Sequence, residues 1–151
     1  MVLPPAPPRV VCLGNVVADH VFRVEDIPQP PAKIAARSYV LNAGGMAANA
    51  AIAVTRLGGR ADFWGRVGDD LNAPLLAAAL EADGVNTAGL RRMAGGRSPV
   101  SAVLVDRHGE RTIIGFRGAD LGTDPDWLPL QTLAGAGALC CDPRWPEGVA
   151  A

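Results

Sequence analysis

The sequence predicts an α/β fold: one layer in which strands and helices alternate, and a small β flap set apart from it. Three observations carry this. Short continuous apolar runs, such as Arg9 to Leu13 (RVVCL) and Gly137 to Cys141, read as strands buried on both faces. Two helical stretches stand between such runs, a stretch of small residues from about Gly45 to Leu57 and a second carrying leucines at 71, 75, 76 and 80. Glycines follow both, Gly58–Gly59 and Gly84, as helix C-termini favour.

The bulk properties narrow the class. A chain of 151 residues fits one domain with a real core. With 14 basic against 15 acidic residues and no basic cluster, nothing favours nucleic acid or a charged membrane surface. No apolar run is long enough to span a bilayer, and MVLPPAPPRV lacks the charged-then-apolar order of a signal peptide, so a cytoplasmic protein is expected. Cys12, Cys140 and Cys141 lie in apolar runs and are expected to be buried, reduced thiols rather than disulfide or metal partners. Thirteen of the 14 basic residues are arginine, which leaves Lys33 as a solitary lysine.

In chain order, residues 1–8 form a proline-rich lead-in, expected to be flexible. The domain runs from 9 to 151. The first apolar run ends at Gly14-Asn15, and Asp19 follows, where it is either a turn aspartate or a ligand-facing one. The segment lacks the second and third glycines of a dinucleotide fingerprint. Val21 to Val24 and Ile34 to Leu41 read as extended pieces around an irregular proline-rich stretch, and they belong to the flap (about 20–41).

The stretch from Asn42 to Val85 organises the rest. Gly44 and Gly45 open the first helix, where unpaired N–H groups attract oxygen-rich ligands. Asn49 lies one turn on. Either a polar small molecule rests on Gly44, Gly45 and Asn49, or the glycines only end a strand. A strand at Ala61–Gly65 and the turn Gly68-Asp69-Asp70 precede a helix from about Ala73 to Asp83, with Asn72 expected as its cap ahead of Pro74. Val100 to Val105 and Thr112 to Phe116 flank a hairpin turn and are expected to join the flap (about 99–117), with His108 exposed. The strand at 137–141 leads into Asp142-Pro143-Arg144-Trp145. It gets neither a crossover nor a further neighbour, so the chain reads as the front part of a longer protein.

These motifs resemble the ribokinase/PfkB carbohydrate kinase family over nearly all of the chain from Arg9. The matching pattern is Gly44, Gly45, Asn49, Gly58 and Gly68, with RVGDD around the last. The resemblance implies a Rossmann-like layer with a small β-sheet lid, here without its C-terminal part, and a homodimer through that lid. Within the family the chain is similar to sulfofructose kinases through KIAARSY (33–39), FWGRVGDD (63–70), GERTII (109–114) and DPRW (142–145). That similarity implies that Lys33 and Arg144 hold an anionic end of the substrate, that Asp19 binds sugar hydroxyls, and that Gly44, Gly45 and Asn49 complete the sugar site. Gly115 stands where those enzymes carry asparagine, and Met46 and Val17 where ribokinases carry lysine and asparagine.

The implied activity is ATP- and Mg²⁺-dependent phosphorylation of a sugar with an anionic end. Its GAGD motif, with the catalytic aspartate, has no match here. Gly135-Ala136-Gly137-Ala138 has alanine at the acid and leads into a strand. ATP and Mg²⁺ are therefore expected to bind mainly outside this chain, which is expected to be inactive alone. A non-catalytic sugar-binding or dimerising module, and a nucleoside kinase of the same superfamily, are the alternative readings.

Overall fold

A computed structural model describes residues 7–29 and 32–151. Most of the lead-in, and Pro30 and Pro31, lie outside the described residues. Two four-stranded sheets make up the architecture. The first has the order β5-β4-β1-β8 and is wholly parallel, built from β1 (Arg9–Asn15), β4 (Arg60–Val67), β5 (Asn86–Arg92) and β8 (Ala138–Cys141). The second has the order β3-β2-β6-β7, from β2 (Val17–Arg23), β3 (Ser38–Gly44), β6 (Val100–Val105) and β7 (Arg111–Phe116). It is mixed, with β2 and β6 parallel between antiparallel outer pairs.

The helices α1 (Met46–Arg56) and α2 (Asn72–Ala82) cover one face of the parallel sheet. Alanine is the strongest helix former, and its small side chain brings α1 close to the strands. Ala47, Ala48 and Ala51 are buried against Cys12, Val16 and Phe63, while Leu76 and Leu80 of α2 seal the same core. Alternation along β1 and β4 sends Val11, Leu13 and Trp64 to the other face, where they meet Leu128 and Trp145. Segment 118–137, with two short 3-10 turns at Ala119–Leu121 and Leu130–Gly135, covers that face. A short α3 (Pro146–Ala150) follows β8.

Several expectations change. Asp19 lies inside β2, not in a turn, because β2 begins at Val17 directly after β1. The third strand runs to Gly44, later than Ile34 to Leu41, and ends against the start of α1. Asn72 does not cap α2. Asp70 does, accepting from the N–H groups of Asn72 (3.0 Å) and Ala73 (3.2 Å). β5 went unread, because NTAGLRR has neither a continuous apolar run nor a clean alternation. Cys12 is buried, and burial first, then Cys140 and Cys141, pushes its thiol up to about 12. Cys140 is exposed and Cys141 half-buried, because β8 is the edge strand of its sheet and its residues are largely uncovered. Among the described residues no helix is long and apolar enough to cross a membrane.

Candidate functional site

The parallel sheet has a point where its winding reverses. From β1 the chain moves outward through β4 and β5 on one side, then returns on the other side as β8. In open α/β sheets the crevice beyond the carboxyl ends of the strands at such a point is where ligands bind. Asn15 closes β1, Arg66 is its register partner on β4, and Asp142 to Trp145 follow β8. The N-terminus of α1 opens at Gly45. There φ is +103° and an added Cβ would overlap the Asn15 carbonyl, so only glycine fits. No side chain caps α1, and no acidic residue lies in its first turn. Its N–H donors are thus left to an external acceptor or water.

Beside this opening lies a first cavity of about 460 Å³, with Asp19, Asn42, Gly44 and Asn49 on its wall. Asn49, Ile52 and Arg56 enter it at helical spacing, and the Arg56–Asp83 ion pair (2.8 Å) stands at its rim. Asp19 packs directly onto Gly44, with its Oδ2 in the space that a Cβ at Gly44 would need. The Asp19 carboxylate takes part in no hydrogen bond or ion pair among the described residues. A half-buried carboxylate without a partner, beside open helix donors, suits the hydroxyls of a polyol.

A second cavity, of about 390 Å³, is lined by Asn15, Arg66, Ser101, Gly115, Arg117 and Arg144, with Val17 and Ile113 among its apolar members. Strand register joins it to the first. Asn42 pairs with Asp19, Asp19 with Ser101, and Ser101 with Gly115, so these four lie in one row on one face of the mixed sheet. Neighbouring strands are about 4.8 Å apart. The two cavities therefore adjoin across neighbouring strands, within the length of a small molecule.

Arg144 is set by its own loop. Asp142, its side chain fully buried, accepts from the Arg144 backbone N–H (3.0 Å) and from Nε (3.0 Å) and Nη2 (3.1 Å). The fork fixes the guanidinium against the carboxylate and leaves its other edge to the cavity. Asp142 is in turn tied by its N–H to the Leu13 carbonyl (2.8 Å) at the end of β1.

The sequence-predicted residues thus separate. Asp19, Gly44 and Asn49 share the first cavity, and Gly45 starts the helix beside it. Arg144 lines the second. Lys33 is exposed, in the irregular lead to β3, and lines neither. Asn42, Ser101, Arg66 and Arg117 were missed. For Asn42 and Ser101 the signal was alternation, once β2 is known to start at Val17; the arginines had none, since only topology brings them together. Residues Gly135 to Ala138 enter β8, with the Gly137 N–H on the Arg9 carbonyl (2.8 Å), and start no helix. Among the described residues no three His, Cys, Asp or Glu converge as a metal site.

The chain belongs to the pfkB family of carbohydrate kinases, whose model (pfkB family carbohydrate kinase) matches residues 7–141. It is 32% identical over 143 residues to an ATP-dependent ribose-1-phosphate kinase of Halopiger xanaduensis, covering 95% of this chain and 48% of that protein. It is 34% identical over 129 residues to a fructokinase of Solanum tuberosum, covering 84% and 39%. Among solved structures, one from Agrobacterium tumefaciens provisionally assigned as a ribokinase superposes with a TM-score of 0.88 at 37% identity, covering 94% of this chain and 46% of that one. The Arabidopsis thaliana ribokinase complexed with ribose and ATP gives 0.72 at 29%, covering 90% and 45%. The chain spans about half the length, or less, of the relatives it matches.

Proposed function

We propose that the protein containing this chain transfers the γ-phosphoryl of ATP to a sugar hydroxyl, and that this chain supplies the sugar-binding part. The observation that carries the reading is Asp19: an unpartnered carboxylate packed on Gly44, facing the same cavity as Asn49. Asp19 accepts hydrogen bonds from two sugar hydroxyls, Asn49 orients a third, and the backbone at Gly44 and Gly45 lets the ring approach closely. ATP with Mg²⁺, as family members use it, supplies the phosphoryl group. The substrate is a ketose or related sugar with an anionic end, sulfonated or phosphorylated. Arg144 faces that end from the second cavity. Lys33 is assigned to the same anion on the sequence resemblance alone. Gly115 leaves room there, since the nearest atoms to an added Cβ are 3.9 Å away.

The test is Asp19→Asn in the full-length protein, read as sugar affinity and kcat/KM alongside a denaturant melt. Affinity is expected to fall about 30-fold, roughly 2 kcal/mol for charge-assisted hydrogen bonds, with an unchanged melt. Unchanged affinity would remove Asp19 from the site. The exposed side chains on the face of the mixed sheet away from the cavities, Tyr39 at 52% and Ile114 at 69%, favour a second reading in addition, a homodimer through this lid. Sedimentation that shows only monomer at micromolar concentration would dismiss it.

A further inference from the structure

Arg66 is the most unusual charge in the molecule. It sits at the end of β4, only 6% exposed, and it lines the second cavity. Its guanidinium lies over the Trp145 ring, 3.9 Å from the centroid, and its Nη1 donates to the Gly122 carbonyl. Trp145 is itself fixed, stacked on Trp127 at 5.7 Å, with its indole N–H on the Thr123 carbonyl (3.1 Å). The Gly122 carbonyl is the one acceptor Arg66 has among the described residues, and its Nε is buried with none. Burying a guanidinium without a carboxylate is costly, and burial pulls its pKa down while the charge of Glu147 pushes it back up. The fold nevertheless holds it rigid at the crevice where the sheet reverses.

The surroundings of Arg66 are one-sided. Arg117 and Arg144 line the same cavity, and no carboxylate does. Asp142 is committed to Arg144. The neutral partners, Asn15 and Ser101, offer further donors. We propose that Arg66 is the fixed cation of an oxyanion subsite in the second cavity, where with Arg117 and Arg144 it selects sugars carrying a phosphate, sulfonate or carboxylate at the end remote from Asp19. The inference rests on the sugar-kinase reading and adds the residue that sets its substrate class. Stacking on Trp145 pre-organises the guanidinium, so little side-chain freedom is lost when the anion arrives.

Calorimetry on the full-length protein tests it with three probes: a neutral ketose, the same ketose carrying a terminal phosphate or sulfonate, and inorganic phosphate. The wild type is expected to bind the anionic ketose at least tenfold tighter than the neutral one. Arg66→Met, which keeps the packed stem, is expected to erase most of that ratio and to change neutral-ketose affinity less than threefold. Arg66→Lys is expected to restore part of the ratio, and added salt to weaken only the anionic sugar. If Arg66→Met fails to fold, Arg117→Gln at an exposed position gives the same comparison. An unchanged ratio in these variants would overturn the subsite. So would phosphate binding as tightly as the anionic ketose, which would show an anion site unrelated to a sugar. Loss of neutral-sugar binding in Asp19→Asn with an intact ratio in Arg66→Met would sink this inference and leave the sugar site standing. The reverse pattern would remove Asp19 from the sugar site and leave the anion subsite standing.

Discussion

The turn at 68–70 and the opening of α1 both join glycine to aspartate, and they differ in what the aspartate is left to do. At the turn 68–70, the Asp70 carboxylate accepts four hydrogen bonds from its own chain: Asn72 N–H, Ala73 N–H, Ser98 N–H (2.6 Å) and Ser98 O–H (2.8 Å). Gly68 presses on the same loop, its N–H on Ser98 Oγ (2.9 Å), and an added Cβ would lie 2.5 Å from the Gly96 carbonyl oxygen. At the opening of α1, Asp19 lies on Gly44, and its carboxylate accepts no hydrogen bond among the described residues. The same two residue types therefore hold the fold together in one place and leave an open carboxylate beside a cavity in the other, the feature on which the proposed sugar site rests.

The largest effect that sharpens this contrast is at Asp70. Asp70→Ala removes the cap of α2 and leaves buried Ser98 without its acceptor. A loss of about 3 kcal/mol in urea unfolding is expected, with sugar affinity per folded molecule unchanged. The pH dependence has a definite sign. Burial raises the Asp70 pKa, but the hydrogen bonds from Ser98, Ala73 and Asn72 together outweigh it and hold the carboxyl below its ordinary value. A depressed folded-state pKa stabilises above the unfolded value, near 4, and that contribution disappears as pH falls through the folded one. The stability gap between wild type and Asp70→Ala should thus be full at pH 7 and narrow below about pH 4. A constant gap would mean that the carboxylate charge is not what stabilises the turn. Asp19→Asn, the intermediate case, should show the inverse profile: a binding loss of about 2 kcal/mol and no change in the melt. If Asp19→Asn instead unfolds the protein, the contrast between the two aspartates fails.

The legible part of the molecule follows from the same distinction. Apolar runs, helix spacing and glycine stops place β1, α1, β4, α2 and the hairpin, because each records burial or backbone geometry within a few residues. The placement of Gly44, Gly45 and Asn49 around one helix start was legible for the same reason. What could not be read depends on contacts far apart in sequence. β5 is an edge strand whose burial comes from α2 and β4, not from its own pattern. Arg66 is held by Trp145 and Gly122, more than 50 residues on, and no local pattern records that contact. Arg144 was expected to share an anionic end with Lys33; the turn after β8 places Arg144 on the second cavity, and Lys33 lines neither cavity, because no pattern in the sequence records where two loops so far apart come to lie.

The smallest effect isolates the glycine mouth itself. Gly44 and Gly45 are adjacent but constrained differently. At Gly45 an added methyl would meet backbone, and φ is positive, so Gly45→Ala strains the chain. At Gly44 the three atoms nearest the methyl would all belong to the Asp19 carboxyl group, a side chain that can change rotamer. Gly44→Ala should therefore fold normally and push the carboxylate out of register with the sugar. Sugar affinity is expected to fall about fivefold, near 1 kcal/mol, and a melt to move by less than about 0.5 kcal/mol. In the Asp19→Asn background the same substitution should add almost nothing, because both changes act on one contact. Full additivity would show that Gly44 meets the ligand through its own backbone and not through Asp19, and would move the centre of the site from the carboxylate to the helix start.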